Sequence, residues 1–60
     1  MTTKFKVGDI INWIDGTALI TDILVHQDSY HYEFYLFDTD EYLSDYVQYM
    51  DRDNNIYLMA

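Results

Sequence analysis

Apolar runs in this chain are short, dominated by Val, Ile, Thr, Tyr, Phe and Trp, and bounded by turn-forming residues. Those side chains fit a pleated surface, so the expectation is strands. Ile10-Ile11-Asn12-Trp13-Ile14 follows Gly8-Asp9 and ends at Asp15-Gly16, a dipeptide that favours a two-residue hairpin. Ala18 to Val25 returns from that turn and is interrupted by Asp22. Leu19-Ile20 and Ile23-Leu24 flank Thr21-Asp22, which predicts a bulge that switches the inward face. Gln27-Asp28-Ser29 is the next turn. Tyr30 to Phe37 then alternates cleanly: Tyr30, Tyr32, Phe34 and Leu36 make an uncharged core face. His31, Glu33, Tyr35 and Phe37 make a mixed face suited to partial cover or to a partner.

Asp38 to Met50 reads two ways. Asp38 and Glu41 have capping-box spacing, and Leu43, Tyr46, Val47 and Met50 fit a helical stripe. Tyr42, Tyr46, Val47 and Tyr49 favour extended backbone instead. The expectation is strand, with Tyr46 to Met50 and Ile56 to Met59 forming a terminal hairpin across the polar turn 51–55. A helix over about 39–50 in an α+β domain is the alternative.

Sixty residues limit the chain to one small domain, 1–60. At this size only roughly 60% of the unfolded surface is buried, so the core is thin. With no Cys, disulfides and thiolate zinc sites are excluded. No apolar run approaches the roughly 20 residues of a membrane helix, and no charged-then-apolar leader opens the sequence. A soluble, intracellular protein is expected.

Phe5-Lys6-Val7-Gly8-Asp9-Ile10-Ile11, then Asp15-Gly16, then Leu19-Ile20-Thr21-Asp22-Ile23 resemble the opening of a small SH3-like β-barrel. In such barrels a Val-Gly-Asp element enters the first strand and the following hairpin carries a similar Ile-x-x-Ile pair. The resemblance covers about the first 25 residues by motif, and the rest by strand count. It implies a mainly β fold, a five-stranded SH3-like barrel. Some SH3-like barrels bind nucleic acid through basic loops, and this chain has none. In size, acidity and Tyr content the chain also resembles small phage proteins that inhibit host or antiviral-defence enzymes. That second resemblance implies the cytoplasm of the host cell.

Charge narrows the partner class. The net charge is −8, with Lys4 and Lys6 at the start and all eleven carboxylates from Val7 onward facing Arg52 alone, a stretch of −10. Such a field repels nucleic acid and anionic lipid and suits a basic protein surface. Simple solubility is the plainer account of the same charge.

Catalysis finds little support. His26, Asp28, Ser29 and His31 supply a nucleophile, base and orienter on paper. All sit in or beside one tight turn, and so small a core leaves little room for a substrate pocket. No enzyme and no cofactor are expected. Asp51, Asp53 and Asn55 begin a calcium-loop pattern that fails at Ile56, where Gly is needed. Asp38, Asp40 and Glu41 form an acidic knot, and His26 with His31 lacks a third ligand. A solvated turn is the better reading of each, and no metal is expected.

Aromatic surplus points to binding. Seven Tyr, three Phe and one Trp exceed what a core of this size holds, so some rings must face solvent. Tyr is suited to interfaces because it joins a rigid apolar body to a polar tip. Tyr42, Tyr46 and Tyr49 lie among Asp40, Glu41, Asp45 and Asp51. These seven residues are the expected contact with a basic, nucleic-acid-handling protein, carboxylates standing in for phosphates. The expected function is non-enzymatic inhibition by occupying that basic groove. The alternative is a structural subunit or homodimer that buries the surplus rings, with Tyr35, Phe37 and Ile56 to Met59 contributing.

Overall fold

The computed structural model describes residues 3–14 and 16–59. Five strands and one helix follow in the order β1 (Ile10–Trp13), β2 (Gly16–His26), β3 (Ser29–Leu36), β4 (Glu41–Tyr46), α1 (Val47–Arg52) and β5 (Tyr57–Leu58). All pairings are antiparallel in one sheet ordered β4-β3-β2-β1-β5. The fold is mainly β, as expected. Among the described residues no β4–β5 pairing closes the sheet into a barrel.

The turn before β1 is pinned from both sides. Lys6 N–H donates to Asp9 Oδ2 (3.0 Å), while Gly8 N–H donates to Ile20 O and Ile20 N–H to Asp9 O, each at 2.9 Å. Gly8 supplies the φ of +97° that this path requires. Asp15 of the expected Asp15-Gly16 turn lies outside the described residues. Gly16 belongs to β2 and pairs with Trp13. Its φ is +140°, and a Cβ there would come within 2.5 Å of Asp38 Oδ2.

The bulge falls where Thr21-Asp22 places it. Ile20 pairs with Phe34 and Asp22 with Glu33, leaving Thr21 as the extra residue. Its hydroxyl donates to Glu33 O at 3.1 Å. Beyond the bulge the inward parity shifts by one, so Ile20 and then Ile23 both turn toward the core. The β2–β3 turn is a two-residue loop, Gln27 and Asp28, with φ of +50° and +64°.

On β3, Tyr32, Phe34 and Leu36 are buried as the alternation predicts. Tyr30 is the exception: it sits near the hairpin tip and is 39% exposed, as the tip extends past the layer that covers the rest of the face. That layer consists of Phe5, Val47, Met50 and Ile56, all buried against Ile11, Ile20, Tyr32 and Phe34.

The segment after Asp38 meets the strand expectation as far as Tyr46 and departs from it, and from the helix over 39–50, beyond that point. Residues 41–46 are strand, Val47 to Arg52 is helix, and β5 pairs with β1 rather than with residues 46–50. A strand would send Val47 and Met50, three residues apart, to opposite faces, whereas one helical turn points both at the core. Burial of this pair decides the conformation. No side chain caps the helix N-terminus, so at six residues it depends on tertiary packing. Asp38 and Glu41 cap nothing; they lie in the β3–β4 turn and at the first position of β4.

One buried phenol joins the cover to the sheet. The Tyr32 hydroxyl accepts a hydrogen bond from Phe5 N–H (3.0 Å) and donates to Asp51 Oδ1 (2.7 Å). Asp51 Oδ2 accepts from Lys4 N–H at 3.1 Å. Burial, reinforced by the Asp51 carboxylate, pushes the Tyr32 hydroxyl pKa from 10.0 up to about 12.

Two outcomes follow for stability. Asp28→Gly relieves a left-handed backbone and should stabilise the chain by about 0.5–1 kcal/mol in urea unfolding. The unfolded chain loses the Tyr32 proton near pH 10.0 while the folded one keeps it to about 12. Stability from this group is therefore complete below pH 10 and lost as pH rises toward 12. Tyr32→Phe should cost about 1–3 kcal/mol at neutral pH by orphaning Phe5 N–H. The same variant should flatten the alkaline fall of the melting temperature.

Candidate protein-binding face

The side of the sheet turned away from α1 carries the surplus rings. Register sets which side chains share it: Tyr35 lies opposite Tyr42, Glu33 opposite Ser44, and His31 opposite Tyr46. On β2, Leu19, Asp22 and Leu24 pair with Tyr35, Glu33 and His31 and extend the same face. The rings fall into two groups. Tyr35 meets Tyr42 at 5.1 Å and Phe37 at 5.5 Å between centroids. His31 meets Tyr46 at 4.4 Å, and Tyr46 meets Tyr49 of α1 at 5.3 Å. Such tilted and edge-to-face pairs are favourable. Between the groups runs the polar row Asp22, Glu33 and Ser44.

The seven expected contact residues divide. Tyr42, Tyr46 and Tyr49 are 67%, 41% and 57% exposed; register and ring contacts place Tyr42 and Tyr46 on this face, while Tyr49, on α1, reaches its rim against Tyr46. Asp40, in the β3–β4 turn with φ +56°, joins them by accepting a hydrogen bond from the Tyr35 hydroxyl. That bond is the main cause holding the Tyr35 pKa above its usual value. Glu41 and Asp45 have the opposite strand parity, that of inward-facing Leu43, and lie on the edge strand; Asp45 Oδ1 accepts from Tyr46 N–H at 2.7 Å. Asp51 is already committed to Tyr32 and Lys4 under the sheet. The geometry thus brings Tyr42, Tyr46 and Asp40 to one face with Tyr49 at its rim, and leaves Asp51 with a structural task.

Tyr35, Phe37 and His31, on the strand face that the alternation marks as suited to a partner, join this set although they are not among the seven. Their alternation on β3 was the available signal, but only the β3–β4 register puts them beside Tyr42 and Tyr46. Neither β2, β3 nor β4 contains a Lys or Arg, so the carboxylates that these strands bring to the face, Asp22 and Glu33, meet no base on them. The three bases lie elsewhere: Lys4 beside Phe5 and Asp51, Lys6 in the turn before β1, and Arg52 at the end of α1.

The turn read for catalysis borders a small, partly open hollow of about 140 Å³ lined by Asp28, Ser29, Tyr30, Tyr46, Val47 and Gln48. The His26 and His31 rings stand 5.9 Å apart edge to face, with His31 packed on Tyr46. The hollow beside them, about 410 Å³ and lined by Leu24, Val25, His26, His31 and Ser44, opens broadly to solvent. Among the described residues no group of three or more His, Asp or Glu is placed to hold a metal ion. No helix among them is long and apolar enough to cross a membrane. No protein-family model matches the chain, and neither a curated protein nor a solved structure matches it.

Face and fold should separate on mutation. Tyr42→Ser with Tyr49→Ser removes exposed rings only and should change stability by no more than about 0.5 kcal/mol per site. Asp51→Ala, which strips an acceptor from both Tyr32 and Lys4, should cost about 1.5–3 kcal/mol. Urea unfolding of the two variants makes the comparison.

Proposed function

We propose that this chain is a non-enzymatic, acidic protein-binding module of SH3-like type. Its concrete form is an inhibitor of phage type that occupies a basic, nucleic-acid-binding surface of a host or defence enzyme. The observation that carries this reading is the solvent-facing Tyr42 and Tyr46, with Tyr49 at their rim, on a sheet face whose three strands hold no base. Exposed tyrosines supply contact area, and surrounding carboxylates supply attraction to a cationic groove. A four-strand meander whose chain returns through one helical turn to pair β5 with β1 supports the SH3-like part. The cytoplasm is where such an inhibitor would act.

A structural, self-associating role is the second reading. It is favoured by the edge strands: β4 leaves one edge of the sheet unpaired, and at the other Tyr57, Leu58 and Met59 are each at least half exposed. A mass that rises with concentration in light scattering would favour it.

The test is capture from bacterial lysate on tagged protein, washed at low and then high salt, with the eluate identified by mass spectrometry. A single basic, nucleic-acid-handling protein released by salt is expected. Asp40, Glu41 and Asp45 all changed to Asn keep their acceptor oxygens and remove three charges. That variant should bind this partner more weakly and with a shallower salt dependence. Unchanged affinity would remove the electrostatic basis of the proposal.

A further inference from the structure

The two ring groups on the open face differ in chemistry, and one has the form of a cation site. Tyr35, Phe37 and Tyr42 are contiguous, with Tyr35 edge-on to Phe37 and tilted to Tyr42. Phe37 is 45% exposed and Tyr42 is the most exposed of the tyrosines considered above. The Tyr35 hydroxyl donates to Asp40, which makes its ring richer in electrons and a better partner for a cation. Asp38, Asp40 and Glu41 follow Phe37 in the same turn and strand start, all exposed. The second group, His31, Tyr46 and Tyr49, has no comparable run of carboxylates at its rim and borders the apolar hollow at Leu24.

We propose that Tyr35, Phe37 and Tyr42 form a docking site for an arginine side chain of a basic protein partner, its guanidinium stacked on the rings and hydrogen-bonded by the Asp40 carboxylate beside Tyr35. Charge complementarity selects a cation, and the rings select which one. A guanidinium is planar and weakly hydrated, so it stacks on an aromatic face and still presents N–H groups to carboxylates at its edge. A lysine ammonium keeps its water and gains mainly from charge. The inference rests on the protein-binding reading of this face and names the chemistry of its anchor.

Capped hexa-arginine and hexa-lysine peptides, titrated by calorimetry at equal ionic strength, test it directly. The arginine peptide should bind about two- to fivefold more tightly than the lysine peptide. Phe37→Leu with Tyr42→Leu keeps bulk and charge while removing two ring faces, and should erase that preference while leaving the lysine affinity unchanged. Circular dichroism of the variant checks that the sheet is intact. If the variant unfolds, ring-proton NMR of the unaltered chain decides: arginine peptide must shift Phe37 and Tyr42 more than Tyr46 and Tyr49. Equal affinities, a preference that survives the double change, or shifts centred on Tyr46 and Tyr49 would overturn the site. The peptide assay needs no natural partner, so the two ideas fail separately. An arginine preference with nothing captured from lysate keeps this site and overturns the inhibitor reading. Capture that is indifferent to the double change does the reverse.

Discussion

The Tyr32 hydroxyl holds together parts of the molecule that the backbone ladder does not join. Phe5 N–H lies outside any strand pairing and is buried, so it needs an acceptor, and Tyr32 provides one from the centre of β3. The same hydroxyl has a proton to give, and the nearest acceptor is Asp51 on the far end of α1. One phenol thereby fixes the N-terminal segment, the sheet and the helix at a single point. A core this thin gains specificity from that arrangement, because Val47, Met50 and Ile56 pack well only if the helix sits over the ring. The arrangement also explains why an acidic residue in α1 is not free to serve a surface role.

Because the cover is a single short layer, it protects one side of the sheet only. The other side must balance apolar area against solvent exposure, and Tyr is suited to that balance through its polar tip. Glu33 and Asp22, directly opposed on neighbouring strands, are an unfavourable pair in isolation. Their position between the two ring groups keeps the face from becoming one continuous apolar surface.

Local rules carried far through β3. Alternation over Tyr30 to Phe37 picks out Tyr32, Phe34 and Leu36 correctly and misses only the exposure of Tyr30 at the tip, and Thr21-Asp22 marks the bulge, because both depend on strand periodicity. The rules failed after Asp38. Tyr and Val propensities favour strand through Met50, yet Val47 and Met50 must both reach the core, and only tertiary packing imposes that demand. The candidate face was half visible for a related reason. Tyr42, Tyr46 and Tyr49 could be recognised as surplus rings, but Asp51 looked equally available because nothing local links it to Tyr32, nineteen residues earlier. Tyr35 and Phe37 stayed apart from the tyrosines of β4 until the register joined them.

The bulge at Thr21 lets β2 carry one residue more than β3 without disturbing which side chains are buried. Ile23 and Leu24 face the correct sides of the sheet because that extra residue has no partner on β3. Deleting Thr21 would leave Asp22 opposite Glu33, Ile23 opposite Tyr32 and Leu24 opposite His31, now in an uninterrupted ladder. The same chain with Thr21 drawn into the ladder would instead turn the outer half of the hairpin inside out. What the deletion removes is the hydrogen bond to Glu33 O and the local twist that a bulge adds. A chain without the bulge should therefore differ in the curve of its hairpin, and not in the membership of its core.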